Sequence, residues 1–437
     1  MNPEKHNGRT IQDIQSAPAD NAGAVNALPS QEHVMTARRL KVGVVGASIS
    51  NSPDGRERYA VRAHVPALKH LSDLFEVVAI CTTRMDTASA AAKHFDVPHA
   101  YDSVERMLKE VPEIDVVCVS VNPGQHYQVV MAALNAGKHV YCEQALGVST
   151  AQAQEMYELA RRKNVRTVVG NQPHFEPAVL QMIEMAQNGY IGKPLSFNIT
   201  YFASAHIAPR PSHRTWLFSA EACGHPGFRS NHSLERVMSV LGDVKEICAD
   251  MAVLVPERPN LDGGPPLKTT VTNNINYLLR VGDNVMGTLQ VCLTAWFGTG
   301  YGFQVYGTEG MLMLAVQDKG EKNTVAGDPT HGELRLYGNR VDMKQLMANP
   351  TAPELLQRQF KEIQPDAKHC YVTGIDQGRG LFAVAQMWHA FAHAIHTGTE
   401  CPTNFRNQLK IHCVWDATEQ SMRDRSWAKV DYSRLGA

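Results

Sequence analysis

Histidine is unusually dense between residues 206 and 232, where the chain carries His206, His213, His225 and His232. An imidazole has an ordinary pKa of about 6.5, so it accepts and releases a proton near neutral pH. These histidines have neither helical i, i+4 spacing nor a matched pair of carboxylates, so the sequence predicts no metal site. No nucleophile-elbow motif is present either, which argues against a serine or cysteine nucleophile.

A glycine turn follows the first apolar run, Leu40 to Val45. Gly46 permits the tight turn by which a backbone approaches a pyrophosphate, and the next helix then directs its free N–H groups at that charge. Ser48 occupies the second glycine position of the dinucleotide fingerprint, and the third is lost within residues 51–55. We expect Gly46, Ser48 and Ile49 to contact a dinucleotide; the alternative is a tight turn without a ligand.

The end of the second apolar run indicates which dinucleotide binds. A carboxylate at this point usually holds the ribose 2′-OH of NAD, but here the sequence reads Cys81-Thr82-Thr83-Arg84. The hydroxyls can bond a 2′-phosphate and Arg84 can pair with it, so Thr83 and Arg84 favour NADP, with NAD as the second choice. The alternative is that Arg84 begins a helix and faces solvent.

Short apolar strands alternate with helices from about residue 39 to residue 168. Continuous apolar strands separated by helices predict a parallel sheet covered on both faces, and right-handed crossovers make it doubly wound. The strands are predicted at 40–45, 75–81, 115–121, 139–142 and 165–170, and the helices at 59–71, 87–94, 125–135 and 151–163.

After Gly170 the pattern changes to longer segments in which polar and apolar residues alternate. Such strands in succession predict an open, mostly antiparallel sheet with one packed and one available face. The fold class is therefore α/β: an arm over 1–36, a Rossmann domain over 37–168, and an α+β substrate and oligomerisation domain over 169–437, whose last helix packs back on the Rossmann domain. Its strands are predicted at 195–202, 244–254, 269–281, 285–294 and 302–306, and its helices at 177–187, 233–241, 380–396 and 407–421.

Composition excludes several classes of function. The 437 residues carry 42 Lys and Arg against 43 Asp and Glu, a net charge of −1, so no global positive field can hold nucleic acid or an anionic membrane. No run approaches the ~20 apolar residues of a membrane span, and the first residues lack the apolar core of a secretory signal. The nine cysteines form no CxxC pair, which favours reduced, buried thiols in a cytoplasmic protein.

Several motifs together resemble the Gfo/Idh/MocA family of glucose–fructose oxidoreductase and inositol dehydrogenase relatives. They include the glycine turn, the run from His64 to Leu68, the run from Ala132 to Leu146, the segment from His232 to Gly242, and Gly307-Thr308-Glu309-Gly310. The resemblance extends over nearly everything from residue 39 onward. Within the family the chain most resembles the branch of the fungal galactose-regulon repressor, which also lacks the catalytic lysine.

The resemblance implies roles for individual residues. Gln144 stands where the family has its catalytic lysine, Ala145 replaces the following proline, and His232 matches the catalytic histidine. Glu235 stands at the usual aspartate one helical turn later, and Phe228 replaces an aspartate four residues earlier. The nicotinamide half of the cofactor would lie against Asn122, Pro123, Gln125, His126 and Glu143 as well as Gln144.

Three functions fit this pattern. The first is an NADP(H)-dependent oxidoreductase acting on a sugar, cyclic polyol or other carbinol or carbonyl, with His232 as acid and base. The second is a cofactor-binding sensor or repressor without turnover, and the third a redox-neutral lyase or hydrolase that retains its cofactor. A homodimer or homotetramer is expected from the open sheet. Substrate contacts are expected from His174, His206, Trp216 and His225. Candidates to replace the lysine in the proton relay are His174, Tyr201, His206, His213 and His225, and Trp216 and Phe218 are candidates for an apolar wall.

Overall fold

The computed structural model describes residues 38–49, 58–210, 216–317, 333–351, 360–376 and 380–436. The expected arm over 1–36, the segment 51–55 and His213 lie outside the described residues. The strands are Leu40–Val45 (β1), Phe75–Cys81 (β2), His99–Tyr101 (β3), Val116–Val119 (β4), His139–Cys142 (β5), Thr167–Val169 (β6), Pro194–Phe202 (β7), Val244–Ala252 (β8), Glu257–Arg258 (β9), Leu267–Lys268 (β10), Asn274–Val281 (β11), Val285–Cys292 (β12), Gly300–Gly307 (β13), Gly310–Gln317 (β14), Glu333–Arg340 (β15), Lys361–Ile363 (β16) and Ala428–Lys429 (β17). The α-helices are Val65–His70 (α1), Met85–Phe95 (α2), Val104–Glu110 (α3), Pro123–Asn135 (α4), Thr150–Lys163 (α5), Pro177–Gln187 (α6), Ala220–Cys223 (α7), Asn231–Leu241 (α8), Met343–Ala348 (α9), Gly380–Thr397 (α10) and Phe405–Asp424 (α11).

The first six strands form one sheet in the order β3-β2-β1-β4-β5-β6, and every pairing is parallel. All four residues of β4 are buried, as expected of a strand covered by helices on both faces. This order is that of a dinucleotide-binding fold, and it reverses between β1 and β4. Ligands of such sheets bind beyond the carboxyl ends of the strands at that reversal, so the fold places a site there.

The prediction of five strands in this region was one too few. The missed strand, β3, has three residues and lies at the sheet edge, and only Tyr101 is buried. A strand this short carries no recognisable run of apolar residues. The helix that follows, α3, was missed with it, although Ser103 caps its first turn by accepting a hydrogen bond from the Arg106 N–H at 3.2 Å.

Nine further strands form the second sheet, in the order β16-β15-β14-β13-β7-β12-β11-β8-β17. The β7–β12 pairing is parallel and the others are antiparallel, so the predicted mostly antiparallel sheet is confirmed. Along β11, Ile275, Tyr277, Leu279 and Val281 are buried while Leu278 is 48% exposed. One face of the sheet is therefore packed and the other is open.

The last two helices connect the two sheets. In α10, Trp388 is fully buried and stacks on Tyr141 of β5 with 4.5 Å between ring centroids. In α11, Phe405 and Leu409 pack with the core of the first sheet, whereas Trp415 packs with the core of the second. The two halves of the chain therefore share core contacts, which fixes any site between them.

His412 of α11 is a buried imidazole within this junction. It is fully buried against Trp415, with ring centroids 4.8 Å apart, and neither ring nitrogen has a hydrogen-bond partner. Burial, and secondarily His225, lower the pKa of His412 to about 3. The folded protein thus keeps His412 neutral at pH values where the unfolded chain would protonate it, near pH 6.5 and below.

We expect His412→Phe to weaken the acid sensitivity of folding. Between pH 6.5 and pH 3 the unfolded chain binds a proton that the folded chain excludes at His412, so stability falls as the pH falls. At pH 5, protonation of His412 in the unfolded chain lowers the free energy of unfolding by about 2 kcal/mol. Urea unfolding at pH 7.5 and pH 5 measures the difference, with the exposed His94→Phe as control. A variant that loses as much stability as the wild type on acidification contradicts the assignment.

Candidate active site

The turn after β1 is built for close backbone approach. Gly46 has φ +102°, and a Cβ placed there would lie 2.2 Å from the carbonyl oxygen of Ser120, beyond the end of β4. Only glycine fits this position. Ser48 and Ile49 follow and are half-buried. The residues expected to contact a dinucleotide therefore lie at the β1–β4 reversal, and the glycine cradle fits such a group.

The loop after β2 carries an acid that the sequence interpretation overlooked. Arg84 is two-thirds exposed and forms an ion pair with Asp86 of α2, in which Nε donates to Oδ1 at 2.9 Å and Nη2 donates to Oδ2. The expectation that no acid lies here was wrong, because Asp86 is two residues away on the first turn of the helix. The Thr82 hydroxyl is also engaged, donating to the Arg84 carbonyl at 2.8 Å, whereas Thr83 is exposed.

The first turn of α4 borders the same end of the sheet. Asn122 is the N-cap residue, Pro123 is buried and Gln125 is exposed. His126 is fully buried, with Nδ1 2.6 Å from the Ala145 carbonyl oxygen and Nε2 3.0 Å from that of Val121. Both ring nitrogens face backbone carbonyls, so His126 joins the loops after β4 and β5 rather than offering a nitrogen to a cofactor.

Glu143, directly after β5, is held by two donors. Its Oε1 accepts from His64 Nε2 and from Gln172 Nε2, each at 2.8 Å. Trp388 Nε1 donates to His64 Nδ1 at 3.2 Å. An indole N–H can only donate, so Nδ1 of His64 is unprotonated and its proton is on Nε2. Sequence reasoning missed Gln172; His64 had appeared only within the family motif, without a role.

Gln144 and His232 meet between the two halves of the chain. The Nε2 atoms of the two side chains are 2.8 Å apart, and the Gln144–Ala145 peptide is cis. The Oε1 atom of Gln144 is buried and has no hydrogen-bond partner. The structure thus brings together the two residues that the family resemblance placed at the reaction centre.

A ring of three amides determines which nitrogen of His232 carries a proton. Asn171 Nδ2 donates to Gln408 Oε1 at 3.4 Å, Gln408 Nε2 donates to Asn231 Oδ1 at 2.7 Å, and Asn231 Nδ2 donates to Asn171 Oδ1 at 2.6 Å. Asn171 Oδ1 also lies 3.1 Å from His232 Nδ1. Since that oxygen can only accept, Nδ1 donates the hydrogen bond, and the neutral ring presents an unprotonated Nε2 to the Gln144 amide.

Sequence reasoning missed this ring altogether. Two signals were available: Asn171 directly follows the end of a predicted parallel strand, and Asn231 precedes His232. Gln408 is remote in sequence and could not have been found from spacing. All three amides are buried, so each must find hydrogen-bond partners within the protein.

Glu235 does not pair with His232, contrary to the role suggested by its place one turn later. Its Oε1 is 2.7 Å from His174 Nδ1 and accepts from the Ser239 hydroxyl at 2.6 Å. Burial opposes the charge, but His174 and Ser239 outweigh it and lower the pKa of Glu235. Glu235 and His174 form a buried pair with each other, so neither role first assigned to them, catalysis or substrate contact, has support in these contacts.

The other expected substrate residues have separate surroundings. His225 caps a helical turn, its Nδ1 accepting from the Gly227 N–H at 2.9 Å, and its ring stacks on Trp415. These contacts are structural, and the substrate role stays a prediction. His206 is buried against Phe218 with 4.6 Å between centroids. Trp216 is half-buried, and Phe228, at the family's aspartate position, is buried in the second core.

The described residues contain neither a cluster of metal ligands nor a helix suited to a membrane. No group of three or more His, Cys, Asp or Glu is arranged to hold a metal ion in the part of the chain that the structure describes. Within those same residues, no helix combines the length and the apolar character needed to cross a membrane. All nine cysteines lie in the described ranges, and none is in a disulfide.

Comparison with known proteins identifies the family. An oxidoreductase family model described as having an NAD-binding Rossmann fold matches residues 40–171, and the GFO/IDH/MocA C-terminal domain matches residues 179–313. The chain belongs to the Gfo/Idh/MocA family. The first match contains the glycine turn, Glu143 and Gln144, and the second contains His232.

Relatives of this family member include both enzymes and a regulator. A levoglucosan dehydrogenase of Pseudarthrobacter phenanthrenivorans is 23% identical over 415 residues, covering 90% of this chain and 98% of the relative. Its structure in complex with NADH and levoglucosan has a TM-score of 0.72 at 21% identity, covering 90% of this chain and 100% of the other. A super-repressor mutant of Gal80p from Saccharomyces cerevisiae has a TM-score of 0.74 at 18% identity, over 92% and 100% of the chains.

Proposed function

We propose that the protein is an NADP(H)-dependent oxidoreductase that acts on a sugar, cyclic polyol or related carbinol or carbonyl, with His232 as acid and base. The observation that carries this proposal is the tautomer of His232. The amide ring leaves its Nε2 unprotonated, beside the residue that replaces the family lysine. An unprotonated imidazole nitrogen at the reaction centre is what removal of a hydroxyl proton requires.

The proposed mechanism assigns one proton transfer to this chain's own residues. When bound, the nicotinamide ring supplies the acceptor or donor of hydride. His232 Nε2 takes the hydroxyl proton from the substrate, and Asn171 Oδ1 continues to accept from Nδ1–H while the ring is charged. Gln144 can orient a substrate oxygen through its amide but cannot exchange a proton. The proton relay therefore depends on His232 without help from a lysine.

We predict that His232→Ala lowers the rate of hydride transfer at least ~100-fold, because a positioned acid or base contributes about 10²–10⁴-fold. Nicotinamide absorbance under single-turnover conditions, with NADP⁺ and a panel of sugars and polyols, measures the rate. Dinucleotide affinity, followed by fluorescence, should change by less than about twofold because His232 lies on the substrate side. The control is His99→Ala, which alters an exposed histidine. A His232→Ala variant with the wild-type rate would refute the assignment.

A second candidate function rests on Gln144. A dinucleotide-binding sensor without turnover needs no proton-exchanging group at the lysine position, and the galactose/lactose metabolism regulatory protein GAL80 of Saccharomyces cerevisiae is a relative, 27% identical over 182 residues, 40% of each chain. In the same assay, tight dinucleotide binding without reduction by any panel member would favour the sensor. Turnover gained by Gln144→Lys would strengthen that alternative.

The proposal of NADP over NAD depends on Arg84. The Arg84–Asp86 pair is on the surface, where solvent screens the attraction between the two charges, so a 2′-phosphate can replace the carboxylate. We expect Arg84→Ala to weaken NADPH binding about tenfold and to leave NADH binding nearly unchanged. Asp86→Ala, which frees the guanidinium, should tighten NADPH binding. Fluorescence titration of both dinucleotides measures this, and a wild type that prefers NADH would overturn the choice.

We also propose that the protein is a homo-oligomer that buries the open face of its second sheet. Leu278, Met286 and Tyr306 are 48%, 53% and 40% exposed there. An apolar surface of this kind commonly pairs with a second copy. Light scattering of the protein at micromolar concentration should give a dimer or tetramer, and Leu278→Lys should shift it toward monomer. A monomeric wild type would contradict the proposal.

A further inference from the structure

A buried arginine lies near the start of the helix that carries His232. Arg258 of β9 is 1% exposed, and its guanidinium lies over the Phe218 ring. Nη1 donates to the Thr269 hydroxyl at 3.0 Å, whereas Nε and Nη2 have no hydrogen-bond partner. Among the described residues, no carboxylate forms an ion pair with Arg258. An arginine stays charged at any physiological pH, so this is a buried cation to which the described part of the chain offers no counterion.

Two further arginines lie close to Arg258. Arg229 Nη2 donates to the Leu217 carbonyl, and the backbone N–H of Arg210 donates to the Pro259 carbonyl at 3.2 Å, next to Arg258. Burial first, and then Arg210 and Arg229, lower the pKa of Arg258 to about 10. The arginines are therefore close enough to repel one another.

His206 completes this group. Its ring packs on Phe218 and is buried, and Nδ1 has no hydrogen-bond partner. Burial and, after it, the three arginines lower the pKa of His206, so its imidazole is neutral at physiological pH. We call Arg210, Arg229, Arg258 and His206 the arginine cluster.

A buried guanidinium such as that of Arg258 is costly unless an anion binds to it. A buried charge without a partner destabilises the fold, and like charges add to the cost. The two unpartnered nitrogens of Arg258 belong to a planar fork whose geometry matches a carboxylate or phosphate. An anion bound here would supply the missing acceptors and offset the repulsion.

The arginine cluster adjoins the proposed reaction centre. Arg229 belongs to the helical turn Pro226–Ser230, and α8 begins at the next residue. His232 is the second residue of α8 and follows Arg229 by three positions, so the backbones of the two residues lie within about one helical turn of each other. An anion at the cluster would therefore lie near the candidate base.

We propose that the arginine cluster binds an anionic group of the substrate, so that the substrate is an acidic sugar or polyol derivative bearing a phosphate or a carboxylate. The assignment of the anion to the substrate rests on the proposed oxidoreductase function. Anion binding itself can be measured without turnover. The wild type accepts the cost of the buried Arg258 because ligand binding offsets that cost.

Anion binding is tested first on the dinucleotide-loaded protein. Inorganic phosphate and sulfate are titrated against chloride at constant ionic strength, and affinity is obtained from the rise in melting temperature and from calorimetry. We expect saturable phosphate binding that Arg258→Met weakens about 10- to 100-fold, the scale of lost charge-assisted hydrogen bonds. Arg258→Met should also melt at a higher temperature than the wild type without anion, since it removes a buried charge of similar volume.

Two further variants separate site loss from misfolding. If Arg258→Met fails to fold, Arg258→Lys takes its place in the test. It keeps the positive charge but loses the planar guanidinium fork, so it should bind phosphate only weakly. Arg280→Met removes an arginine of β11, in the nine-stranded sheet, that bonds Asn284, and it should bind phosphate as the wild type does. Absent phosphate binding, or binding that neither Arg258 variant changes, overturns the proposal.

The source of the anion is tested by turnover. Glucose, glucose 6-phosphate and glucuronate are compared as probes in the single-turnover assay. We expect one charged probe to exceed glucose at least about tenfold in kcat/KM and Arg258→Met to abolish that preference. Phosphate binding without any turnover would retain the anion site and count against the oxidoreductase function alone. Turnover of glucose with no gain from either charged probe overturns the assignment of the anion to the substrate.

Discussion

The hydrogen bond from His232 Nδ1–H to Asn171 Oδ1 is the interaction on which the candidate site depends. It determines that Nε2 is the unprotonated nitrogen, and Nε2 is the atom directed at Gln144. Asn171 can only play this part because Asn231 and Gln408 fix which end of its amide faces the histidine. These residues come from the end of β6, from α8 and from α11, so the tautomer of one imidazole depends on the junction of both sheets.

Charge near this site is distributed in an unusual way. The acceptor behind His232 is a neutral amide, and two nearby carboxylates are engaged elsewhere, the half-buried Glu143 with His64 and the buried Glu235 with His174. The family's lysine is replaced by Gln144, while Phe228 stands at the position of an aspartate. Arg258 supplies a buried positive charge over Phe218. The proposed anion site would bring this cation close to an uncharged base, an arrangement that suits an anionic substrate better than a neutral one.

Most of the fold could be predicted from sequence because its determinants are local. Continuous apolar runs marked β1, β2 and β5 to the residue, and Gly46 marked the turn where the sheet order reverses. Strand β3 was missed because three residues at a sheet edge carry no pattern. The meeting of Gln144 and His232 was expected from family resemblance, not from spacing. The amide ring could not be predicted, since nothing local relates residues 171, 231 and 408, and the Arg84–Asp86 pair was overlooked although the two residues are near neighbours.

The most direct test of the central claim is transfer of a labelled hydride. The protein is incubated with NADP²H deuterated at the nicotinamide carbon and a panel of aldoses, ketoses and their phosphates, and the recovered carbinols are examined by mass spectrometry. The account predicts deuterium in one class of product with the wild type and at least ~100-fold less with His232→Ala at equal dinucleotide occupancy. Dinucleotide binding with no label in any product, or equal labelling by the variant, would contradict it.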